Sequence, residues 1–206
     1  RERGGSVRER LGLVRGELRA SSALAAVFGV LALSGALAFA VAALGNLEDS
    51  SLGRLDAAAS AAATQSPWLL LLAFGVAPGV CEELLFRGAL QRGLEPRLGA
   101  LAVGVAGLAF ALIHLDRMHG PAALALGLYL GVIARRGRTT WLAILCHVVN
   151  NSAATLPQLQ RQLALALPRP DSWEDTVGWG LVSGLALAAF FWATSRGPRQ
   201  ARPASG

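Results

Sequence analysis

The amino-acid sequence predicts an all-α protein, a polytopic transmembrane helical bundle of about six spans with both termini in the cytoplasm. The first observation is composition: 53% of the residues are hydrophobic and only 16% are charged, whereas soluble domains carry about 25% charged residues. The second is an uncharged run at residues 22–45, which as a helix is long enough to cross a hydrocarbon core about 30 Å thick. The third is the placement of arginine along the chain.

Arginine supplies all nineteen basic residues, and the formal net charge is +6. With a cytoplasmic N-terminus, fourteen arginines lie in cytoplasmic segments, four lie on the opposite side, and Arg87 lies within a span. This excess is the positive-inside pattern of membrane proteins, and an even number of spans satisfies it. The charge therefore indicates topology, and we predict no nucleic-acid partner. The expected location is the inner (plasma) membrane of a bacterium, which the chain crosses several times.

The individual elements follow in order from this topology. Residues 1–21 mix charges of both signs and predict a basic, amphipathic cytoplasmic segment that anchors the first span. A membrane-embedded domain is expected over residues 22–195, followed by a disordered basic tail at 196–206. Loops at 46–66 and 157–172 are expected on the non-cytoplasmic side. The predicted spans are six apolar runs, at residues 22–45, 67–92, 97–115, 120–134, 139–156 and 174–194.

Seven strongly polar side chains interrupt the apolar spans. A charge at the bilayer centre costs at least about 2.5–3.5 kcal/mol, so such residues are expected only where they have a role. All seven lie on three of the six predicted spans. They are Glu82, Glu83, Arg87, His114, His147, Asn150 and Asn151.

The first group lies in the stretch CEELLFRGAL, residues 81–90. Residues four apart share one face of a helix, whereas adjacent residues point about 100° apart. Glu83 and Arg87 are therefore predicted to form an ion pair, while Glu82 faces a different neighbour. The alternative is an interfacial turn whose charges snorkel to the lipid headgroups. The depth of Glu82, roughly 15 Å from the end of its span, favours a buried role.

The two histidines of the set differ in how well the residues near them support a catalytic role. His114 closes the stretch FALIH one turn after Phe110, and a single intramembrane histidine is more typical of a helix–helix hydrogen bond than of catalysis. His147 shares a helix face with Asn151, and together they could donate hydrogen bonds to a developing oxyanion. A polar clamp between helices is the alternative. Taken together, the polar residues indicate water activation with oxyanion stabilisation.

Three motifs occur in a characteristic order on successive apolar helices. EExxxR occupies residues 82–87, FxxxH runs from Phe110 to His114, and HxxxN runs from His147 to Asn151. This ordered set resembles the CPBP family of CAAX proteases and bacteriocin-processing enzymes, which are membrane endopeptidases. The resemblance covers a motif core of about residues 66–155.

The resemblance implies a role for each motif residue. Glu82 would be the general base that activates water, and His114 would hold that water. His147 and Asn151 would stabilise the tetrahedral oxyanion. Structural support would come from Glu83, Arg87 and Phe110. The family is treated as glutamate-dependent, so no cofactor is expected; if a metal is present, zinc would be held by Glu82, His114 and His147.

The expected function is therefore an intramembrane endopeptidase that hydrolyses a peptide bond of a membrane-associated or lipidated protein or peptide in the lipid bilayer. The bacterial character of the sequence argues against a farnesylated CAAX protein and is compatible with a myxosortase-like sorting branch. One alternative is a non-enzymatic membrane immunity or binding module of the same fold. Another is a small proton-coupled transporter, for which a repeat or a polar stripe is expected and neither is found. The sequence does not indicate an oligomeric state.

One inconsistency in depth follows from these span limits. Glu82 and His147 lie ~12–15 Å from the cytoplasmic ends of their helices, whereas His114 lies ~25 Å from the end of its own. Residues of one site should lie at one depth. Either the helices tilt and kink, or one predicted boundary is wrong.

Overall fold

The computed structural model describes residues 5–16, 20–43, 51–117 and 119–158, together with the single residues 181, 185 and 188. Within these residues the regular structure is entirely helical, which confirms the all-α prediction. Seven helices are described: α1 (Val7–Arg10), α2 (Ala20–Ala43), α3 (Ser51–Gln65), α4 (Pro67–Leu98), α5 (Leu101–Ile113), α6 (His119–Gly137) and α7 (Trp141–Ala154).

Five of these helices correspond to the first five predicted spans. By length and hydropathy, the described residues contain two candidates for crossing a membrane, Ala20–Ala38 and Pro67–Leu98. Helix α5 is apolar but shorter, with 13 residues. The sixth predicted span, at residues 174–194, and the tail at 196–206 lie outside the described residues, apart from three helical positions in the span. The count of six spans and the cytoplasmic placement of both termini therefore stay predictions.

Helix α4 continues beyond its predicted end at residue 92. It passes Arg92 and includes Pro96 before it ends at Leu98. The next residue, Gly99, has a φ of 56°, a backbone conformation that glycine adopts at little cost, and α5 begins two residues later. Measured from this turn at the α-helical rise, Glu82 lies roughly 24 Å and His114 roughly 20 Å along their helices. The predicted boundary at 92 was wrong, and correcting it brings these two residues to similar depth.

Two segments of α4 are wound as π-helix, Leu71–Val76 and Leu84–Gln91. The short α-helical segment Ala77–Glu83 lies between them and contains both Pro78 and the two glutamates. Single π-turns are rare in proteins, and those that occur are often found at functional sites. The EExxxR motif therefore spans a junction between two helical windings.

The segment predicted as a loop at residues 46–66 contains helix α3, Ser51–Gln65. The loop prediction was wrong there because the segment is rich in alanine, which has the highest helix propensity. Ala59 and Ala63 are buried and pack against Leu70 of α4. Helix α3 thereby covers part of the bundle beside the first turns of α4.

Helices α5 and α6 approach closely through glycine. A Cβ atom at Gly127 would lie 3.2 Å from the Cα of Gly107, and one at Gly131 would lie 2.9 Å from a side-chain carbon of Val103. Gly127 and Gly131 form a GxxxG pattern, which permits such contact between membrane helices. Their carbonyl groups also accept hydrogen bonds from α4, at 2.8 Å from Arg87 and 3.1 Å from Gln91. The close approach therefore positions α4 as well.

The N-terminal segment forms only one helical turn in its described part. Ser6 and Glu9 form a capping box at the start of α1. Beyond it the chain packs on the turn between α6 and α7, where Thr140 donates its backbone N–H to Gly12 (2.9 Å) and its hydroxyl to Leu11 (2.7 Å). The predicted amphipathic segment at 1–21 is therefore mostly not helical where it is described, and its hydrogen bonds hold it to the bundle.

Candidate active site

Glu83 and Arg87 form the predicted ion pair on α4. Arg87 Nη1 lies 2.7 Å from Glu83 Oε1, and both side chains are fully buried. Arg87 also donates from Nη2 to the carbonyl oxygen of Gly127, and its guanidinium carbon lies 4.8 Å from the centroid of the Phe110 ring. Desolvating two charges is costly unless each gains partners in compensation. These contacts therefore join α4, α5 and α6 at one buried point.

Glu83 has a second partner that its position in the sequence does not reveal. Its Oε1 atom lies 2.8 Å from His147 Nδ1 of α7. An ionised carboxylate only accepts hydrogen bonds, so Nδ1 carries the proton and donates it. The ring then presents Nε2 to Glu82, whose Oε2 lies 3.8 Å away. Glu83 was predicted to pair with Arg87 as structural support; in the structure it also sets the orientation of His147.

His114 is the C-cap residue that follows α5, and its ring is held by the residue one turn before it. Its Nδ1 lies 2.8 Å from the carbonyl oxygen of Phe110. A carbonyl only accepts, so Nδ1 is protonated and donates. In the neutral imidazole the other nitrogen, Nε2, is then a hydrogen-bond acceptor. His114 can therefore accept a hydrogen bond through Nε2.

Phe110 connects the three motifs through its ring. It is almost fully buried and packs edge-on against Phe86, with ring centroids 5.3 Å apart. The same ring lies 4.9 Å from His114 and 5.8 Å from His147. Aromatic pairs at these separations prefer such tilted or edge-to-face arrangements. Phe110 thus limits the positions that both imidazoles can occupy.

Asn151 is oriented by the asparagine before it. The side-chain amide of Asn150 donates to Asn151 Oδ1 at 3.1 Å. The Asn151 carbonyl is therefore engaged, and its own NH₂ group is the part of the amide that can donate to another molecule. This is the group required of an oxyanion donor.

A cavity of about 670 Å³ brings the predicted catalytic residues together. Helices α2, α3, α4, α6 and α7 supply most of its wall, which is largely apolar. Glu83 and Arg87 lie behind this wall, not on it. The predicted catalytic residues that line it are Glu82, His114, His147 and Asn151.

His119 also lines this cavity and was not singled out by the sequence. Its ring centroid lies 4.3 Å from that of His114, and its Nδ1 lies 3.4 Å from the hydroxyl of Ser51. The sequence shows that His119 lies five residues after His114. It does not show that the turn between α5 and α6 brings the two rings together. The cavity therefore contains all three histidines of the chain.

Among the described residues, no three His, Cys, Asp or Glu side chains are placed so that they could hold a metal ion. Glu82, His114 and His147, the conditional zinc set, do not form such a group with their side chains placed as they are. The Nδ1 atoms of both histidines donate to protein oxygens, which leaves Nε2 of each ring as the nitrogen that can accept. The steps proposed below involve no metal.

Comparison with protein families gives an independent result. Residues 64–153 match the family model described as type II CAAX prenyl endopeptidase Rce1-like. Searches of the curated proteins and of the solved structures find no match. The matched segment contains all three motifs and lies close to the predicted motif core of 66–155. Residues 64–153, which are 90 of the 206 residues, are therefore similar to the Rce1-like CAAX protease family, a family of membrane proteases, as the CPBP resemblance predicted.

Proposed function

We propose that the protein is an intramembrane endopeptidase in which Glu82 activates water to hydrolyse a peptide bond of a membrane-associated protein. The observation that carries this proposal is the 3.8 Å approach of Glu82 Oε2 to His147 Nε2 on the wall of the cavity. A carboxylate and an imidazole so placed can share a proton. The family match supports the proposal in its general form.

Activating a water molecule requires two hydrogen-bond acceptors for its hydrogens and a free lone pair on its oxygen. The Glu82 carboxylate accepts one hydrogen of the water, and His114 accepts the other through Nε2, because its Nδ1 donates to Phe110. With both hydrogens engaged, a lone pair of the water oxygen is left to attack the substrate carbonyl. Glu82 takes the proton as the bond to carbon forms.

The oxyanion and the leaving group need donors in turn. Asn151 donates through its NH₂ group, since its carbonyl is held by Asn150. The proton on Glu82 passes to His147 Nε2 when their separation shortens to about 3 Å. Nε2 then donates to the oxyanion and finally delivers the proton to the departing amine, so that water is divided between the two products. Glu83 keeps Nε2 directed at Glu82 throughout.

The substrate is proposed to be a membrane-associated or lipidated protein or peptide. Most of the cavity wall is apolar, as in the side chains of Leu37, Phe74 and Leu126. Such a wall accommodates an apolar peptide segment or lipid and excludes water, which strengthens polar interactions at the reacting atoms. We further propose six spans with both termini in the cytoplasm, in a bacterial inner membrane, because the arginine distribution fits that topology.

The test is hydrolysis of a quenched peptide with an apolar C-terminal segment by the full chain in detergent or lipid. Glu82→Gln is expected to lower kcat by about 10²–10⁴-fold, the usual contribution of a general base. Glu95→Gln is the matched control, because Glu95 lies on the same helix near its far end, away from the cavity. A folded Glu82→Gln protein that retained the wild-type rate would overturn the assignment of the base. Hydrolysis is expected to persist in a zinc chelator, and inhibition that added zinc reverses would contradict the mechanism.

A further inference from the structure

A second concave region lies on the surface of the bundle, between the first turn of α5 and the last turns of α6. It is a groove of about 360 Å³, which we call the outer groove, and its wall is mostly apolar. Leu101 and Gly104 line it from α5, and Val132, Arg135 and Arg136 line it from α6. It shares no lining residue with the catalytic cavity, so its role does not depend on the proposed peptidase activity.

The space in the outer groove is open at Gly104. Helices α5 and α6 touch closely further along, where Gly107 meets Gly127 and Val103 meets Gly131. At Gly104, by contrast, an added Cβ atom would meet nothing within 4 Å, and the residue is exposed. Because protein interiors leave few such voids between packed elements, this space is available to a molecule outside the bundle.

An apolar stripe on α5 begins at the outer groove. Leu101, Val105, Leu108 and Leu112 recur at the spacing of one helix face, and each is between 43% and 72% exposed. From Leu101 to Leu112 the stripe is about 16 Å long. Half of a hydrocarbon core about 30 Å thick is about 15 Å. The stripe therefore has the length of the acyl-chain layer of one leaflet.

Positive charge is concentrated at the end of the outer groove. Arg135 and Arg136 are exposed in the last turn of α6, a position that favours cations even without a ligand. The segments 92–104 and 128–140 together contain five arginines but one acidic residue, Glu95. Arg135 Nη1 lies 3.7 Å from Glu95 Oε1, which is longer than a hydrogen bond. Glu95 therefore leaves a net positive charge beside an apolar groove.

We propose that the outer groove binds an anionic phospholipid of the surrounding bilayer. The phosphate group lies at Arg135 and Arg136, because guanidinium N–H groups match phosphate oxygens in geometry and charge. One acyl chain fills the space at Gly104 and continues along the apolar stripe. With the proposed topology this end of the bundle is cytoplasmic, where basic pockets between membrane helices bind anionic headgroups. A zwitterionic lipid fits less well, since its ammonium group offsets the phosphate charge.

Lipid binding by the full chain in non-ionic detergent micelles tests the site without relying on turnover. The probes are phosphatidylglycerol and phosphatidylcholine with identical palmitoyl and oleoyl chains, and native mass spectrometry counts the lipids bound at each concentration. Phosphatidylglycerol is expected to bind about 10–30-fold more tightly, as two arginines near an anionic headgroup predict. Equal affinities, or no bound phosphatidylglycerol, would overturn the proposal.

Two pairs of arginine substitutions separate a site from general surface charge. Arg135→Gln with Arg136→Gln is expected to abolish the preference for phosphatidylglycerol. The matched control is Arg10→Gln with Arg15→Gln, which removes the same charge from two exposed residues of the N-terminal segment and should keep most of the preference. An equal loss of preference in both double variants would assign binding to the charge of the whole face and contradict a site.

Filling the groove tests the place of the acyl chain. Gly104→Leu is expected to weaken phosphatidylglycerol binding about tenfold, whereas Gly93→Leu should leave it unchanged. Gly93 is the matched control because a Cβ atom there also meets nothing within 4 Å, but it lies on α4 and does not line the groove. Unchanged binding by Gly104→Leu would place the lipid elsewhere and refute the proposal. A lipid-free dimer of the wild type that Gly104→Leu dissociates would instead assign the groove to a second copy of the chain.

Discussion

The buried ionic cluster of Glu83, Arg87 and His147 differs from the two amide side chains of Asn150 and Gln158 on the cavity wall. In the cluster, one carboxylate oxygen accepts hydrogen bonds from both an arginine and a histidine, and the charges of opposite sign lie in contact. Asn150 and Gln158 line the cavity, and each has a buried amide oxygen that no described donor reaches. The cluster also has atoms without a described partner, Glu83 Oε2 and Arg87 Nε, but Glu83 and Arg87 do not line the cavity. The comparison distinguishes charged groups that are paired inside the bundle from neutral amides on the cavity wall.

The largest expected effect is loss of stability when the cluster is broken. Arg87→Met leaves Glu83 buried without its counter-charge and is expected to cost about 3–5 kcal/mol of unfolding free energy. Arg135→Met is the matched control, because Arg135 pairs with Glu95 at 3.7 Å near the surface, where an ion pair contributes about 1 kcal/mol or less. Denaturant titration in mixed micelles measures both. Equal losses in the two variants would mean that burial of the cluster contributes nothing.

The next effect concerns activity. Glu83→Gln preserves shape, but its NH₂ group can turn toward His147 Nδ1 and favour the wrong tautomer. A comparable change in a serine-protease triad lowers kcat about 10⁴-fold, and we expect a fall in kcat of about 10²–10⁴-fold with a smaller change in KM. The measurement is steady-state hydrolysis by the folded fraction. A rise in KM at constant kcat would instead place Glu83 in substrate binding.

A smaller effect is expected from Gly127→Ala. The added Cβ would lie 3.1 Å from Phe110 and 3.2 Å from Gly107, so α5 and α6 must separate or Phe110 must move. Such overpacking costs typically about 1–3 kcal/mol. Gly104→Ala is the control on α5, because its Cβ meets nothing within 4 Å. Thermal unfolding of both variants should show a loss for Gly127→Ala only.

The smallest expected effect is on stability, when the Gln158 side chain on the cavity wall is replaced. Gln158→Leu removes a buried acceptor that has no described donor, along with one hydrogen bond to Asp56. These changes oppose each other, so we expect a stability change of less than about 1 kcal/mol. A loss of unfolding free energy near that of Arg87→Met would show that Gln158 stabilises the fold as strongly as the ionic cluster does. Unfolding in the same micelles as the Arg87 variants gives the direct comparison.

Local relations in the cluster could be predicted from the sequence, and distant ones could not. The Glu83–Arg87 pair follows from helical periodicity, which needs only four residues of context. The contact of Glu83 with His147 joins residues 64 positions apart, and no periodicity within either helix indicates it. Asp56 and Gln158 lay in predicted loops, so neither was considered as part of a site.

The boundary error on α4 has a comparable physical origin. The predicted span ended at residue 92, where the apolar run ends and charged residues follow. Span and helix are different things, however, and a helix can continue past the apolar part of its sequence. The three motifs lie within the matched segment 64–153, because motif order along the chain does not depend on where each helix ends.

The π-helical winding at Leu84–Gln91 has a consequence for how this domain can vary in length. Deleting one residue while the π-winding is kept would turn the residues that follow, relative to Glu82, by somewhat less than the 100° per residue of an α-helix. Residues beyond the deletion would turn away from the carbonyl groups on α6, where Arg87 and Gln91 now bind Gly127 and Gly131. An insertion would rotate these residues in the opposite direction and would also turn them away from α6. Insertions and deletions should therefore be excluded from this stretch even where single substitutions are tolerated, so that its length is as constrained as its charged residues.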